Sequence, residues 1–448
     1  MKTPILDFAE NYAASGPVRM HMPGHKGREL AGPERLDITE IPGADVLYAS
    51  SGIIRESEEN AAALFGTART VYSTEGSSLC IRAMLYLAQL YAAQNGKRSR
   101  IAAGRNAHRV FQEAAAMLDP ELIWIDKGDD LLGCRVTEAE IEALFRNPDT
   151  VPTAVYLTSP DYLGRMTELR AIAEICHRHG ALLLVDNAHG AYLKFLPGVR
   201  HPLEQGADLC CDSAHKTMPA LTGAAYLHAS DCCPAMLLPA MERAMALFAS
   251  TSPSYLLLQS LDAVNAELAG KLPERLSACA GRIEELKKNL ADCGWELAGT
   301  EPMKITLSTK AYGYTGHEVA SYLAEKGVVC EFADPDYVVL MPGASTEQEA
   351  FERLQMLLAG LKRKPAITEK PPARTPGRAE LTLREAILSP YETVPAAESL
   401  WRILATPSVS CPPAVPVCAC GERIDEAALA LFRYYGIESC DVVKENRG

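Results

Sequence analysis

From about residue 60 to residue 230, short apolar runs alternate with amphipathic stretches. RSRIAAG (98–104), ELIWID (121–126), TAVYLTSP (153–160), ALLLVDNA (181–188) and GADLCCD (206–212) read as short buried strands. SSLCIRAMLYLAQLYAAQ (77–94), VFQEAAAML (110–118), EAEIEALF (138–145) and TELRAIAEICHRHG (167–180) read as helices between them, the last closed by Gly180 in a left-handed conformation. Strands alternating with helices predict an α/β fold with a mostly parallel sheet covered on both faces. Functional residues are then expected at the carboxyl ends of the strands.

The pattern changes outside this stretch. Residues 1–55 are rich in Gly and Pro and weakly periodic, and read as an N-terminal arm with HMPGHKG (21–27) as its densest motif. Residues 56–250 form the expected large domain. Residues 236–292 look mostly helical. A smaller α/β pattern follows in MKITLST, HEVASYLAEKG, YVVLMPG and EQEAFERLQMLLAGL, giving a small domain over 251–362. The charged, Pro-rich run KRKPAITEKPPARTPGRAE predicts a linker over 363–380. Residues 381–448 are left as a small separate C-terminal unit.

Composition narrows the class. The chain has 448 residues, 48% hydrophobic and 23% charged, the profile of an ordinary globular protein of two or three domains. Its net charge of -13 argues against a broad nucleic-acid surface. No segment approaches the roughly 18 apolar residues of a membrane helix. The first residues lack the apolar core of a signal peptide, so a cytoplasmic location with reduced thiols is expected for the 14 cysteines. Cys411, Cys418 and Cys420 suggest zinc, but no further His or Cys at finger-like spacing completes a site, and no metal is expected.

Two residues carry the chemistry. Asp186 ends the apolar run ALLLV, and Lys216 lies about 30 residues later in Ser-x-His-Lys. A lysine amine and a strand-end carboxylate are what pyridoxal phosphate (PLP) chemistry needs. The amine bonds the cofactor aldehyde, and the carboxylate keeps the pyridine nitrogen protonated. A surface lysine and a capping aspartate are the plainer readings of each residue alone. Together, each at the end of an apolar strand, they favour the PLP reading. Gly76, Ser77 and Ser78 open a predicted helix, where backbone N–H groups, the helix dipole and two hydroxyls favour a phosphate. Alone they would be a helix cap. Ser213 and His215 can complete that shell. His108, in RNAHRV after the strand RSRIAAG, is a candidate to stack on the cofactor ring. His189 is a candidate to contact the cofactor or relay protons.

The motifs together resemble the bacterial Orn/Lys/Arg decarboxylases. They run in family order: MPGHKG (22–27), ADVLYASSGII (44–54), STEGSS (73–78), RNAHRV (105–110), SPDYLG (159–164), VDNAHGAYLKF (185–195), DSAHKTMPALT (212–222) and CPPAVPVCACGE (411–422). The resemblance covers nearly the whole chain, in the short form without an N-terminal wing. It implies a fold-type-I, aspartate-aminotransferase-like PLP enzyme. It implies an aldimine on Lys216, a pyridinium contact from Asp186, and phosphate contacts from Gly76, Ser77, Ser78, Ser213 and His215. Ring stacking falls to His108, and a further contact to Ala188 or His189. A homodimer is implied as the minimum unit, with the arm and C-terminal piece near the partner's site. The implied reaction is decarboxylation of arginine, lysine or ornithine to agmatine, cadaverine or putrescine, in polyamine biosynthesis.

The substrate is then a small basic amino acid, and neither nucleic acid nor membrane is an expected partner. Glu422 is the candidate to neutralise the substrate's distal charge. His215, Lys216 and the Cys/His-bearing loops are candidates for reprotonating Cα. The chain departs from the family pattern at four places. Glu75 replaces the Asn before Gly76, and Asn187 replaces the Glu of Asp-Glu-Ala-His. Cys411-Pro412-Pro413-Ala414 replaces Tyr-Pro-Pro-Gly, and Gly223 replaces a Gln. The competing readings are another fold-type-I reaction, such as transamination or cysteine desulfuration at Cys330, and a non-catalytic PLP-binding regulatory paralogue.

Overall fold

The computed structural model describes residues 1–126, 133, 135–147, 151–375, 377–407 and 416–445. In chain order the first elements are α1 (Pro4–Ala14), α2 (Ile53–Phe65), β1 (Arg69–Ser73), α3 (Gly76–Gln94) and β2 (Arg100–Gly104). Next come α4 (Arg109–Leu118), β3 (Glu121–Ile125), α5 (Glu138–Arg146), β4 (Ala154–Thr158), α6 (Arg170–Arg178) and β5 (Leu182–Asp186). They are followed by β6 (Leu209–Asp212), α7 (Ala214–Thr217), β7 (Ala225–Ala229), α8 (Met241–Ala246), α9 (Tyr255–Leu268) and α10 (Leu272–Asp292). The rest comprises β8 (Glu296–Ala298), β9 (Ile305–Ser308), α11 (Gly316–Glu325), β10 (Phe332–Ala333), β11 (Tyr337–Leu340) and α12 (Gln348–Gly360). The last elements are α13 (Leu383–Leu388), β12 (Tyr391–Pro395), α14 (Glu426–Tyr434) and β13 (Ser439–Val443).

The seven-stranded sheet has the order β1-β7-β6-β5-β4-β2-β3. β5 pairs parallel with β6, and β2 parallel with β3. β7 is antiparallel to both of its neighbours. The five strands expected from the apolar runs are all present. β1 and β7 join them at one edge. No helix among the described residues is long and apolar enough to cross a membrane.

The chain divides into two compact units, and their boundaries are not those the composition suggests. The first holds Met1–Lys97, Thr153–Val155 and Leu169–Ser277, and the second Arg98–Pro152, Tyr156–Glu168 and Ala278–Gly448. In the first unit the expected arm begins as a helix. Ile5 and Ala9, one turn apart on α1, are fully buried. The N–H groups of Ile5 and Leu6 donate to Asp262 Oδ2 at 2.9 and 3.1 Å. The cap of α1 thus comes from α9, far along the chain, where no local Ser or Asp could signal it.

In the second unit the expected linker is a strap. Ile367 N–H donates to Lys310 O at 3.0 Å, and Lys310 Nζ to Glu369 O at 2.9 Å. Arg374 is only 7% exposed and is paired with Asp126. Nor is the C-terminal piece separate. Leu404, Ile424, Phe432 and Val442 share one apolar cluster with Leu163, Phe332 and Val339. A piece of about 68 residues has little interior of its own, and this one completes its core with neighbours from earlier in the chain. The second sheet, ordered β10-β11-β9-β8, is antiparallel throughout.

The first unit also buries a carboxylate. Glu58 on α2 is 1% exposed and accepts hydrogen bonds from Tyr72 N–H and Ser50 Oγ. Burial, with Glu242 nearby, pushes its pKa up to about 8. Its folded pKa therefore lies above its unfolded one, and the native state holds the proton longer. Stability from this group is full below pH 4.5 and is lost as pH rises to about 8. Glu58→Gln should flatten the fall in unfolding free energy across that window, measured by urea denaturation at several pH values. A slope as steep as the wild type's would rule Glu58 out as its source.

Candidate active site

Strand direction brings the first unit's motifs to one edge. β1 is antiparallel to β7, and β7 antiparallel to β6, so β1 runs the same way as β6 and β5. The turns after β1, β5 and β6 carry Ser73–Ser78, Asp186–His189 and Ser213–Lys216 respectively.

The turn after β1 is tightly bonded. Ser73 Oγ donates to Gly76 O at 2.8 Å and accepts from Glu75 N–H at 3.1 Å. Gly76 has φ of +70°, where a side chain would strain the backbone. Its N–H is engaged with Gly223 O at 2.7 Å, so Gly76 shapes the turn rather than donating outward. Ser77 and Ser78 are partly buried in the first turn of α3. Glu75 does not turn its charge on this helix start. Its Oε1 accepts from Ser250 N–H at 2.7 Å.

Ser213 Oγ donates to Ser77 Oγ at 2.9 Å and so joins the turn after β6 to the turn after β1. His215 Nδ1 donates to Ala224 O at 2.9 Å, which leaves Nε2 as the basic nitrogen of the ring. Burial lowers the His215 pKa, and the adjacent Lys216 charge adds to this, so the ring is neutral at neutral pH. Lys216 is exposed, and its Nζ lies 3.2 Å from His189 Nε2. Asp186 is 3% exposed. Its Oδ1 accepts from Ala188 N–H at 3.1 Å and from the Cys211 thiol at 3.5 Å.

Beneath this edge lies a second layer that sequence reasoning missed. Asp212 is fully buried, with Asn187, His201, His228 and Cys210 around its carboxylate. Burial alone would raise its pKa, but His201 and His228 outweigh that and hold it well below the usual carboxylate range. His201, Cys210 and Asp212 have the chemistry of metal ligands, yet hydrogen bonding to Asp212 already accounts for all three. Asp212 and Asn187 sit inside recognisable motifs. His201 and His228 carry no local signal, because their common partner is Asp212.

The second unit holds His108, Glu422 and Cys330. His108 is exposed and caps α4, its Nδ1 accepting from Val110 N–H at 3.3 Å. Glu422 differs from expectation. It is 3% exposed, and both of its oxygens accept from Arg105 at 2.7 and 2.6 Å. Oε2 also accepts from Ala419 N–H, and a Cβ on Gly377 would lie 2.2 Å from it. A carboxylate buried this deeply stays ionised only when paired. Its partner is Arg105, so its charge is not available to a substrate. Arg105 in turn lies 3.8 Å from Asp126, which pairs with Arg374. Burial pushes the Cys330 thiol up to about 11, which does not suit a nucleophile. Cys411 and Ala414 lie outside the described residues.

A family model described as Orn/Lys/Arg decarboxylase, major domain, matches residues 3–308. Among curated proteins, an arginine decarboxylase of Halalkalibacterium halodurans is 28% identical over 466 residues, covering 96% of this chain and 93% of that protein. An arginine decarboxylase of Bacillus subtilis is 27% identical over 461 residues, covering 95% and 92%. Among solved structures, lysine decarboxylase A of Pseudomonas aeruginosa aligns with a TM-score of 0.80 at 18% identity, covering 98% of this chain and 80% of that one. The Francisella novicida lysine decarboxylase LdcF gives 0.78 at 17% identity, covering 99% and 81%.

Arg105→Met would strand Glu422 as an unpaired buried charge. Urea unfolding should show a loss of about 3–5 kcal/mol, much of it recovered in Arg105→Met/Glu422→Leu. A loss under about 1 kcal/mol, the range of a surface ion pair, would contradict the buried pairing.

Proposed function

The chain belongs to the Orn/Lys/Arg decarboxylase family, and from that premise we propose that it converts arginine, lysine or ornithine to agmatine, cadaverine or putrescine. As a member it is a PLP-dependent amino acid decarboxylase with the α/β fold of fold-type-I PLP enzymes. The curated relatives above are named arginine decarboxylase, which makes arginine the first substrate to test.

The residues fit the cofactor. Ser77, Ser78 and Ser213 gather hydroxyls at the start of α3, and the one carboxylate of that turn, Glu75, is held by Ser250. The observation that supports the reading most is the Ser213–Ser77 hydrogen bond of 2.9 Å, which ties the lysine-bearing turn to the phosphate-type turn. PLP, when bound, supplies an acceptor for the electron pair left at Cα as carbon dioxide departs.

The remaining work falls to side chains. Lys216 supplies the primary amine that carries the cofactor. Asp186 holds a proton at the pyridine nitrogen, its position fixed by Ala188 N–H and the Cys211 thiol. The Ser77, Ser78 and Ser213 hydroxyls and the amide dipoles of α3 bind phosphate, with His215 completing the shell. His189, in contact with Lys216 Nζ, is placed to take or return a proton there. His215 and Lys216 stand as the two candidates for protonating Cα. The stacking role of His108 rests on the family resemblance.

The minimum unit is proposed as a homodimer. Val18, Met20, Met22 and Leu30 support this, each at least 61% exposed on the N-terminal segment. A cytoplasmic role in polyamine biosynthesis completes the proposal.

The test incubates PLP-loaded enzyme with each amino acid and follows amine and carbon dioxide by mass spectrometry. One of the three amines should appear with wild type and none with Lys216→Ala, and light scattering should give twice the chain mass of 48.5 kDa. Retained turnover in Lys216→Ala would overturn the scheme. Cofactor uptake by the wild type without turnover on any of the three would favour the regulatory paralogue.

A further inference from the structure

The residue after Asp186 does not share its surroundings. Consecutive strand residues point to opposite faces of a sheet. Asp186 and Cys211 meet on one face, and Asn187 and Asp212 meet on the other. Asn187 Nδ2 donates to Asp212 Oδ1 at 2.7 Å, and Asn187 N–H donates to Cys211 O at 3.0 Å. Both residues are 0% exposed. Two hydrogen bonds therefore clamp the end of β5 to the end of β6, directly beside Asp186 and four residues before Lys216.

The far side of the clamp is rigid too. His201 Nδ1 accepts from Leu203 N–H at 3.4 Å, so its proton sits on Nε2. That Nε2 donates to Asp212 Oδ2 at 2.9 Å. Asn187 Nδ2 lies 2.9 Å from the same nitrogen, and the two donors converge on one carboxylate. His228 Nε2 is 3.4 Å from Asp212 Oδ2, with its Nδ1 bonded to Thr70 Oγ1 at 2.8 Å. The Cys210 thiol adds a donor to Oδ1 at 3.7 Å. An anion buried this completely needs every donor it has. Loss of the Asn187 amide would leave Asp212 Oδ1 to the weak donor of the Cys210 thiol.

We propose that Asn187 is a positioning residue for the cofactor, acting through Asp212 to set Asp186 against the turn that carries Lys216. The identity of residue 187 is then dictated by Asp212. The Glu of the usual family pattern would bring a second carboxylate to the place where the amide now donates. Two carboxylates at that distance do not both ionise, and one must take up a proton or move. Movement of residue 187 displaces its neighbour Asp186. Asp212→Asn removes the conflict by turning the partner into an amide. Asn187 and Asp212 should therefore behave as an interchangeable acid–amide pair.

The inference rests on Lys216 and Asp186 as the PLP site. The experiment compares wild type, Asn187→Glu, Asn187→Glu/Asp212→Asn and Asn187→Leu, each loaded with PLP. The readouts are the PLP dissociation constant, the pH midpoint of the bound cofactor's absorption, and the unfolding temperature. Asn187→Glu should weaken PLP binding about tenfold or more, the order of a lost hydrogen bond to a charged group. The double variant should return to within about threefold of wild type. Asn187→Leu, which adds no charge, should weaken binding in the same direction and serves if Asn187→Glu does not fold.

A merely structural clamp would lower the unfolding temperature while leaving the dissociation constant and absorption midpoint of the folded protein unchanged. That result, or a double variant no better than Asn187→Glu, overturns the proposal. Failure of the underlying reading looks different, because wild type would then carry PLP on a lysine other than Lys216.

Discussion

The candidate active site depends on three strands that run the same way and stop together. β5 and β6 are neighbours, and β1 shares their direction through two antiparallel steps across β7. The constraint is geometric before it is chemical. It turns residues near 76, 186 and 215, distant along the chain, into hydrogen-bonded neighbours. Strand alternation then sorts their side chains by face. One face receives Asp186 and the Cys211 thiol. The other receives Asn187 and Asp212.

Buried charge is handled in three ways, and each follows from what the neighbours offer. Asp212 keeps its charge because amide, imidazole and thiol donors surround it. Glu422 keeps its charge because a guanidinium meets both oxygens, the strongest geometry for a carboxylate. Glu58 finds two neutral donors and a like charge, and protonation becomes the cheaper state.

The residues that meet at the candidate site were legible in the sequence, because Asp186, Lys216 and the Ser77–Ser78 turn depend on local order: an apolar run followed by a polar residue, or hydroxyls opening a helix. What was not legible depends on partners far along the chain. The α1 helix is capped by Asp262, so residues 1–55 lacked a helix signal. The strap over 363–380 looks like a linker by composition, yet Arg374 is held by Asp126. Glu422 looked available to a substrate until Arg105, more than 300 residues earlier, proved to hold it. β7 was missed because His228 breaks its apolar run, and the groups that receive that buried histidine, Thr70 and Asp212, lie elsewhere in the chain.

The most direct measurement locates the cofactor. Borohydride reduction of the PLP-loaded protein, followed by proteolysis and mass mapping, fixes the pyridoxyl group on the residue that carried it. The account predicts that the label lies on Lys216. A label on any other lysine would contradict it, because the meeting of the turns after β1, β5 and β6 would then serve some other purpose.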